Sequence, residues 1–199
     1  MSSQDDAREK AQKTLFGVKD YSSTGRGNTY TPDGKLFIGD KPYTIEFKSK
    51  PQTKGDVSTA RGFKPSKAKE WKDQTDVFVF SEFEGKDFNG NFIEHYALTY
   101  DDLHPIIEEK VIRPFNEVRP PRKNSDGYYG MKEFERNVLP LLEEEDFSSA
   151  DIKRIAHTME VGTSLNDPKF RWKEIQKRGT QIHTPEDLRD FCLKNHLSA

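Results

Sequence analysis

Residues 31–50, TPDGKLFIGDKPYTIEFKSK, leave the chain one economical way to bury apolar surface, a two-stranded hairpin. The runs KLFI and YTIEFKSK flank Gly39-Asp40-Lys41-Pro42, whose residue types signal a turn. Side chains alternate across a strand, so Tyr43, Ile45 and Phe47 share one face while Glu46 and Lys48 share the other. With the turn centred on Asp40-Lys41, Asp33 falls opposite Lys48, and directly opposed residues project from the same face. Two acids and a lysine are thus expected to converge, backed by an apolar face. Asp40 sits at the turn and is a poorer partner for Glu46. Downstream, DVFVFSEF (76–83) has the length and apolar character of a buried strand, which makes the hairpin central.

Two nearby carboxylates repel each other when ionised unless a cation lies between them. Mg²⁺ takes oxygen ligands and keeps several waters, so it suits an open two-carboxylate site with a substrate phosphate. Metal-bound water loses its proton more easily and becomes a nucleophile for attack on phosphorus. A lysine beside that water orients it or stabilises charge in the transition state. Asp33, Glu46 and Lys48 therefore supply the parts of phosphodiester hydrolysis. The same charges would also suit the solvated face of an ordinary antiparallel hairpin.

Pro32-Asp33, twelve residues, then Glu46-Phe47-Lys48 resembles the PD-(D/E)xK nuclease motif, with its Pro-Asp intact. The resemblance implies that Asp33 and Glu46 bind Mg²⁺ and that Lys48 serves the attacking water. It extends to element order over about residues 5–115: helix, hairpin, basic loop and helix, buried strand, second strand, helix. GRGN before the hairpin and KGDVSTARGF after it are most similar to blunt-cutting type II restriction endonucleases. The implied fold is α/β (α+β), a mixed central sheet flanked by helices, with a helical C-terminal extension. The implied partner is double-stranded DNA, bound by a homodimer because palindromic sites favour two-fold symmetry.

Around this motif the chain divides at NEVRPPRKNSDGYY (116–129), a Pro- and charge-rich connector. It separates an expected nuclease core over 1–120 from a helical region over 126–199 that binds DNA, dimerises or forms a lid. Within the latter, SSADIKRIAHTME and PKFRWKEIQKR have the rhythm of a helix-turn-helix. The final helix opens with Thr184 as N-cap, Pro185 at its first position and Asp187 in its first turn.

The formal net charge is -2, so any anionic partner must be met by a local cationic surface. From Lys48 to Lys72 lysines and arginines dominate, and Lys50, Lys54, Ser58, Thr59, Arg61 and Lys64 are the candidate DNA contacts there. Arg26 and Asn28 in GRGN are further candidates, because the glycines let backbone approach a phosphate. Each is weighed against a solvated basic surface. Glu9 on the first helix is a candidate third carboxylate, weighed against a solvated face in an acid-rich terminus. A single cysteine, Cys192, excludes an internal disulfide and fits a reducing, cytoplasmic setting. The rival functions are a nuclease for branched DNA and a DNA- or protein-binding module without catalysis.

Overall fold

The computed structural model describes residues 3–21, 31–59, 65–112, 139–150 and 169–196. Arg26, Asn28, Arg61 and Lys64 lie outside these residues, as do the 116–129 connector and most of 148–160. Among the described residues no helix is long and apolar enough to cross a membrane.

The first element, α1 (Ser3–Phe16), carries Asp5 and Asp6 in its first turn and Lys13 in its last, matching the helix dipole. Gly17 ends it with φ 66°, and Val18 N–H bonds the Lys13 carbonyl at 2.9 Å, the left-handed cap that glycine permits. Strands β1 (Lys19–Asp20), β2 (Gly34–Ile38) and β3 (Lys41–Pro51) follow. Then come β4 (Asp56–Ser58), α2 (Pro65–Gln74), β5 (Val77–Phe83) and β6 (Phe92–Leu98). The six-stranded sheet has the order β1-β2-β3-β5-β6-β8, in which β8 is Thr180–Ile182. Only the β3–β5 pairing is parallel; its neighbours pair antiparallel. The expected mixed sheet with flanking helices is therefore present.

The hairpin forms, but its turn is Gly39-Asp40, one residue earlier than the sequence reading placed it. Ile38 pairs with Lys41 and Gly34 with Ile45. Gly39 takes φ 62° at the first central position, the conformation a two-residue turn demands of glycine there. The correction moves each partner by two residues, so no side chain changes face. Extending the register places Asp33 beside Glu46 rather than opposite Lys48.

Both sheet faces are covered. Tyr43, Ile45 and Phe47 pack with Phe16, Val18, Leu188, Phe191 and Cys192, so the predicted apolar face of the hairpin is a core face. On the other face Trp71 lies 4.9 Å from Phe78, and Phe170 lies 6.1 Å from Phe80, ring to ring. Val77 to Phe80 are all fully buried, as a strand covered on both faces must be.

The C-terminal region departs from expectation. Residues 170–199 belong to the compact unit formed with 1–57 and 69–104, while 58–68 and 105–169 form the other unit. The division expected near 120–126 is redrawn because β8 pairs with β6, a long-range contact that no local composition reveals. Nor is this end purely helical: Lys169–Arg171 form a strand, β7, in a two-stranded sheet with β4. The expected second helix of a helix-turn-helix is thus cut to Trp172–Arg178, and its inner residues Trp172 and Ile175 are buried. The last helix, Pro185–His196, has the predicted cap. Asp187 N–H bonds Thr184 Oγ1 at 3.2 Å, and the Asp187 carboxylate accepts Thr184 N–H at 3.1 Å.

In the second unit, helix α3 (Tyr100–Ile107), which starts in the first, carries Pro105 inside it. A π-helical turn, Glu108–Ile112, follows directly, where the missing proline N–H disturbs regular bonding. A short helix, Leu139–Glu144, buries Leu142.

Candidate active site

The site is built at the start of β2, on the N-terminal side of Gly34. A Cβ on Gly34 would meet Val18 Cγ1 at 2.5 Å and the Lys19 carbonyl oxygen at 2.6 Å, so only glycine fits at this close approach. Beyond Gly34 the chain leaves the sheet, and β3 continues past Ile45 without β2 beside it. The Asp33 carboxylate takes over there, its Oδ2 accepting Phe47 N–H at 2.7 Å. Asp33 is half-buried, Glu46 is buried, and Lys48 is half-buried between them and the aromatic layer. Lys48 Nζ donates to Glu46 Oε1 at 2.6 Å and lies 5.7 Å from the centroid of Trp71.

Burial raises the Asp33 pKa to about 7, and the charge of Glu46 pushes the same way. Glu9 adds to the rise, while Lys48 and the Phe47 N–H oppose it. Burial pulls the Lys48 pKa down, but the charges of Glu46 and Asp33 and the Glu46 hydrogen bond outweigh it, so Lys48 stays a firm cation. Two carboxylates therefore share a space that one lysine does not fully neutralise. A further cation between them would relieve the remaining repulsion.

Helix α1 contributes three residues. Glu9 accepts Lys13 Nζ at 2.5 Å, and its charge acts on both Asp33 and Lys48, so the helix brings this acid to the site. Lys13 also bonds Asp20 at 3.0 Å. Gln12, fully buried, donates from Nε2 to the Lys48 carbonyl at 3.2 Å and to Ser81 Oγ at 2.7 Å. An acceptor-only carbonyl fixes which end of the amide faces β3. Ser81 Oγ, having accepted from Gln12, has its hydrogen free for His95 Nδ1 at 2.6 Å. This run of bonds joins α1, β3, β5 and β6 directly beneath Lys48. Gln12 and Ser81 were not singled out in the sequence. The available signals are a polar side chain one turn before Phe16 and a serine interrupting VFVFSEF.

The candidate DNA contacts separate. Lys50 is turned inward: it is 3% exposed, and its Nζ bonds the Lys54 carbonyl at 2.8 Å and pairs with Glu82. It also lies 4.9 Å from the Trp172 ring centroid. Alternation does not separate it from Lys48; its neighbours do. Lys50 faces the same way, but it lies opposite Glu82 on β5, deeper under the aromatic cover. Lys54 and Ser58 are exposed, whereas Thr59 is buried.

Among the described residues no three His, Cys, Asp or Glu side chains converge as a ready-made metal cage. The donor set offered is the pair Asp33 and Glu46. That set suits a hard divalent ion that keeps much of its hydration. No protein-family model matches the chain, and no curated protein matches it significantly.

Proposed function

We propose that this chain is a Mg²⁺-dependent DNA endonuclease with a restriction-endonuclease-like fold, in its most specific form a type II restriction enzyme cutting double-stranded DNA. The observation that carries this reading is the meeting of Asp33, Glu46 and Lys48 at the start of β2, with Asp33 driven towards protonation by burial and by the charge of Glu46. The order α1, hairpin, α2, then β5 parallel to β3 supports the fold assignment.

Asp33 and Glu46 would hold Mg²⁺, which when bound supplies an acidified water and neutralises charge at the phosphate. Lys48 is placed by Glu46 and by the Trp71 face so that its ammonium points into the same space. From there Nζ donates a hydrogen bond to the attacking water or to a phosphate oxygen as negative charge develops. Phe47 N–H holds Asp33 Oδ2, so Oδ1 would be the oxygen offered to the metal. A symmetric dimer would present two such sites to the two strands of a palindrome.

Cleavage of mixed plasmid and phage DNA with Mg²⁺, with EDTA, and with Lys48→Ala tests the reading. Discrete fragments that need Mg²⁺ and disappear in the variant are expected. A smear would retain the nuclease and refute sequence specificity. Scission confined to branched substrates would make it a junction nuclease, and no cleavage of any substrate would refute catalysis.

A further inference from the structure

The outer edge of the sheet places two lysines directly across from each other. Lys19 on β1 is the register partner of Lys35 on β2, and Lys35 is in turn the partner of Thr44 on β3. Directly opposed residues project from one face, and Thr44, Glu46 and Lys48 alternate onto that same face. Lys19 and Lys35 therefore stand on the face that carries the candidate active site. Lys35 is a diagonal neighbour of Glu46, about 7–8 Å away.

Like charges directly opposed across strands destabilise a sheet. Asp20, next to Lys19, is taken by Lys13, and Asp33, two residues from Lys35, accepts Phe47 N–H. No ion pair to Lys19 or Lys35 is found among the described residues. Each ammonium is instead held over an aromatic ring. Lys19 Nζ lies 5.6 Å from the Phe37 centroid, and Lys35 Nζ lies 4.5 Å from that of Tyr21. These contacts steady the two cations on the face without cancelling their charge. Phe37 itself is 45% exposed, so the patch is open.

We infer that Lys19 and Lys35 form a phosphate-binding edge that lays the backbone of duplex DNA along β1 and β2 into the site at Asp33, Glu46 and Lys48. The inference rests on the nuclease reading for its partner. Its own warrant is the cross-strand lysine pair, with no direct ion pair among the described residues, on the face that carries the candidate site. An anionic backbone relieves that repulsion, and the flat strand edge suits a contact that reads charge rather than bases.

The test is the salt dependence of binding to a 30-base-pair duplex, with Ca²⁺ replacing Mg²⁺. It compares wild type, the double variant Lys19→Gln/Lys35→Gln, and Lys41→Gln. Lys41 is exposed on the same hairpin but alternates with Tyr43 onto the opposite face. Losing two phosphate contacts should lower the log–log salt slope by about 1.8 and weaken binding at least tenfold at low salt. Lys41→Gln should leave the slope unchanged. Melting temperatures within a few degrees of wild type would show that the lysines do not serve the fold. A double-variant slope equal to wild type, or a Lys41→Gln slope reduced as much, overturns the inference while leaving the nuclease reading standing. A reduced slope in a protein that never cuts would keep the edge and refute the nuclease. A wild type that binds no duplex refutes both.

Discussion

Buried His95 should make stability fall steeply with acid, and the effect should be hidden in the wild type until one partner is removed. Ser81 Oγ lies 2.6 Å from His95 Nδ1, and because Gln12 already donates to this oxygen, the hydroxyl hydrogen is available to an unprotonated Nδ1. Burial, helped by the neighbouring His183 and opposed by Glu94, lowers the imidazole pKa from 6.5 to about 4. Between those values the unfolded chain binds a proton that the folded chain refuses. Stability is therefore complete above pH 6.5 and is lost as pH falls towards 4. The whole gap is worth roughly 3 kcal/mol, and about 2 kcal/mol of it lies between pH 7.5 and pH 5.

Asp33 acts with the opposite sign. Its folded pKa of about 7 lies above the ordinary 3.8, so the folded state gains protons, and stability, as pH falls through the same window. The two slopes oppose each other, and the wild type should show a shallow dependence. Urea unfolding at pH 7.5 and pH 5 separates them. The wild type minus His95→Gln difference should shift by about 2 kcal/mol against the wild type on acidification. Asp33→Asn should unmask a steep loss in acid. A difference between wild type and His95→Gln that stays constant within 0.5 kcal/mol, roughly the resolution of such comparisons, would refute the buried neutral imidazole.

Two substitutions check the surroundings of the site. Gln12→Leu removes both donors, so the Lys48 carbonyl and Ser81 each lose a buried bond; a loss of roughly 2–4 kcal/mol in urea unfolding is expected. Cleavage should fall through kcat more than KM, while Ser81→Ala, which spares the Lys48 bond, should destabilise without that kcat loss. Lys50→Ala strands Glu82 under the aromatic layer and should cost roughly 3–5 kcal/mol. DNA binding per folded molecule, measured by titration at low temperature, should not weaken.

The elements near the site were legible because each is written locally. Alternation in YTIEFK puts Ile45 and Phe47 against Glu46 and Lys48 whichever residue heads the turn, so the faces survived a turn placed one residue late. Helix α1 and the final helix carry their caps and dipole charges in adjacent residues. Pairing between distant segments is not written that way. Nothing in TQI announces that β8 closes the far edge of the sheet against β6, and the expected helical appendage was redrawn for that reason.

The same distinction runs through the site itself. Sequence by itself determined that two acids and a lysine share one sheet face, because strand alternation depends only on residue number. Tertiary structure decided what each charge does, because burial and neighbours come from segments far apart in the chain. Lys48 and Lys50 are alike in sequence and in facing. Yet Trp172 and Glu82 enclose Lys50, while Lys48 is left with Glu46 and Asp33 beside the start of β2. Gln12 and Ser81 acquired their roles only when α1 crossed beneath β3 and β5. Electrostatic energy depends on distance and solvent access, and only the folded chain sets either one.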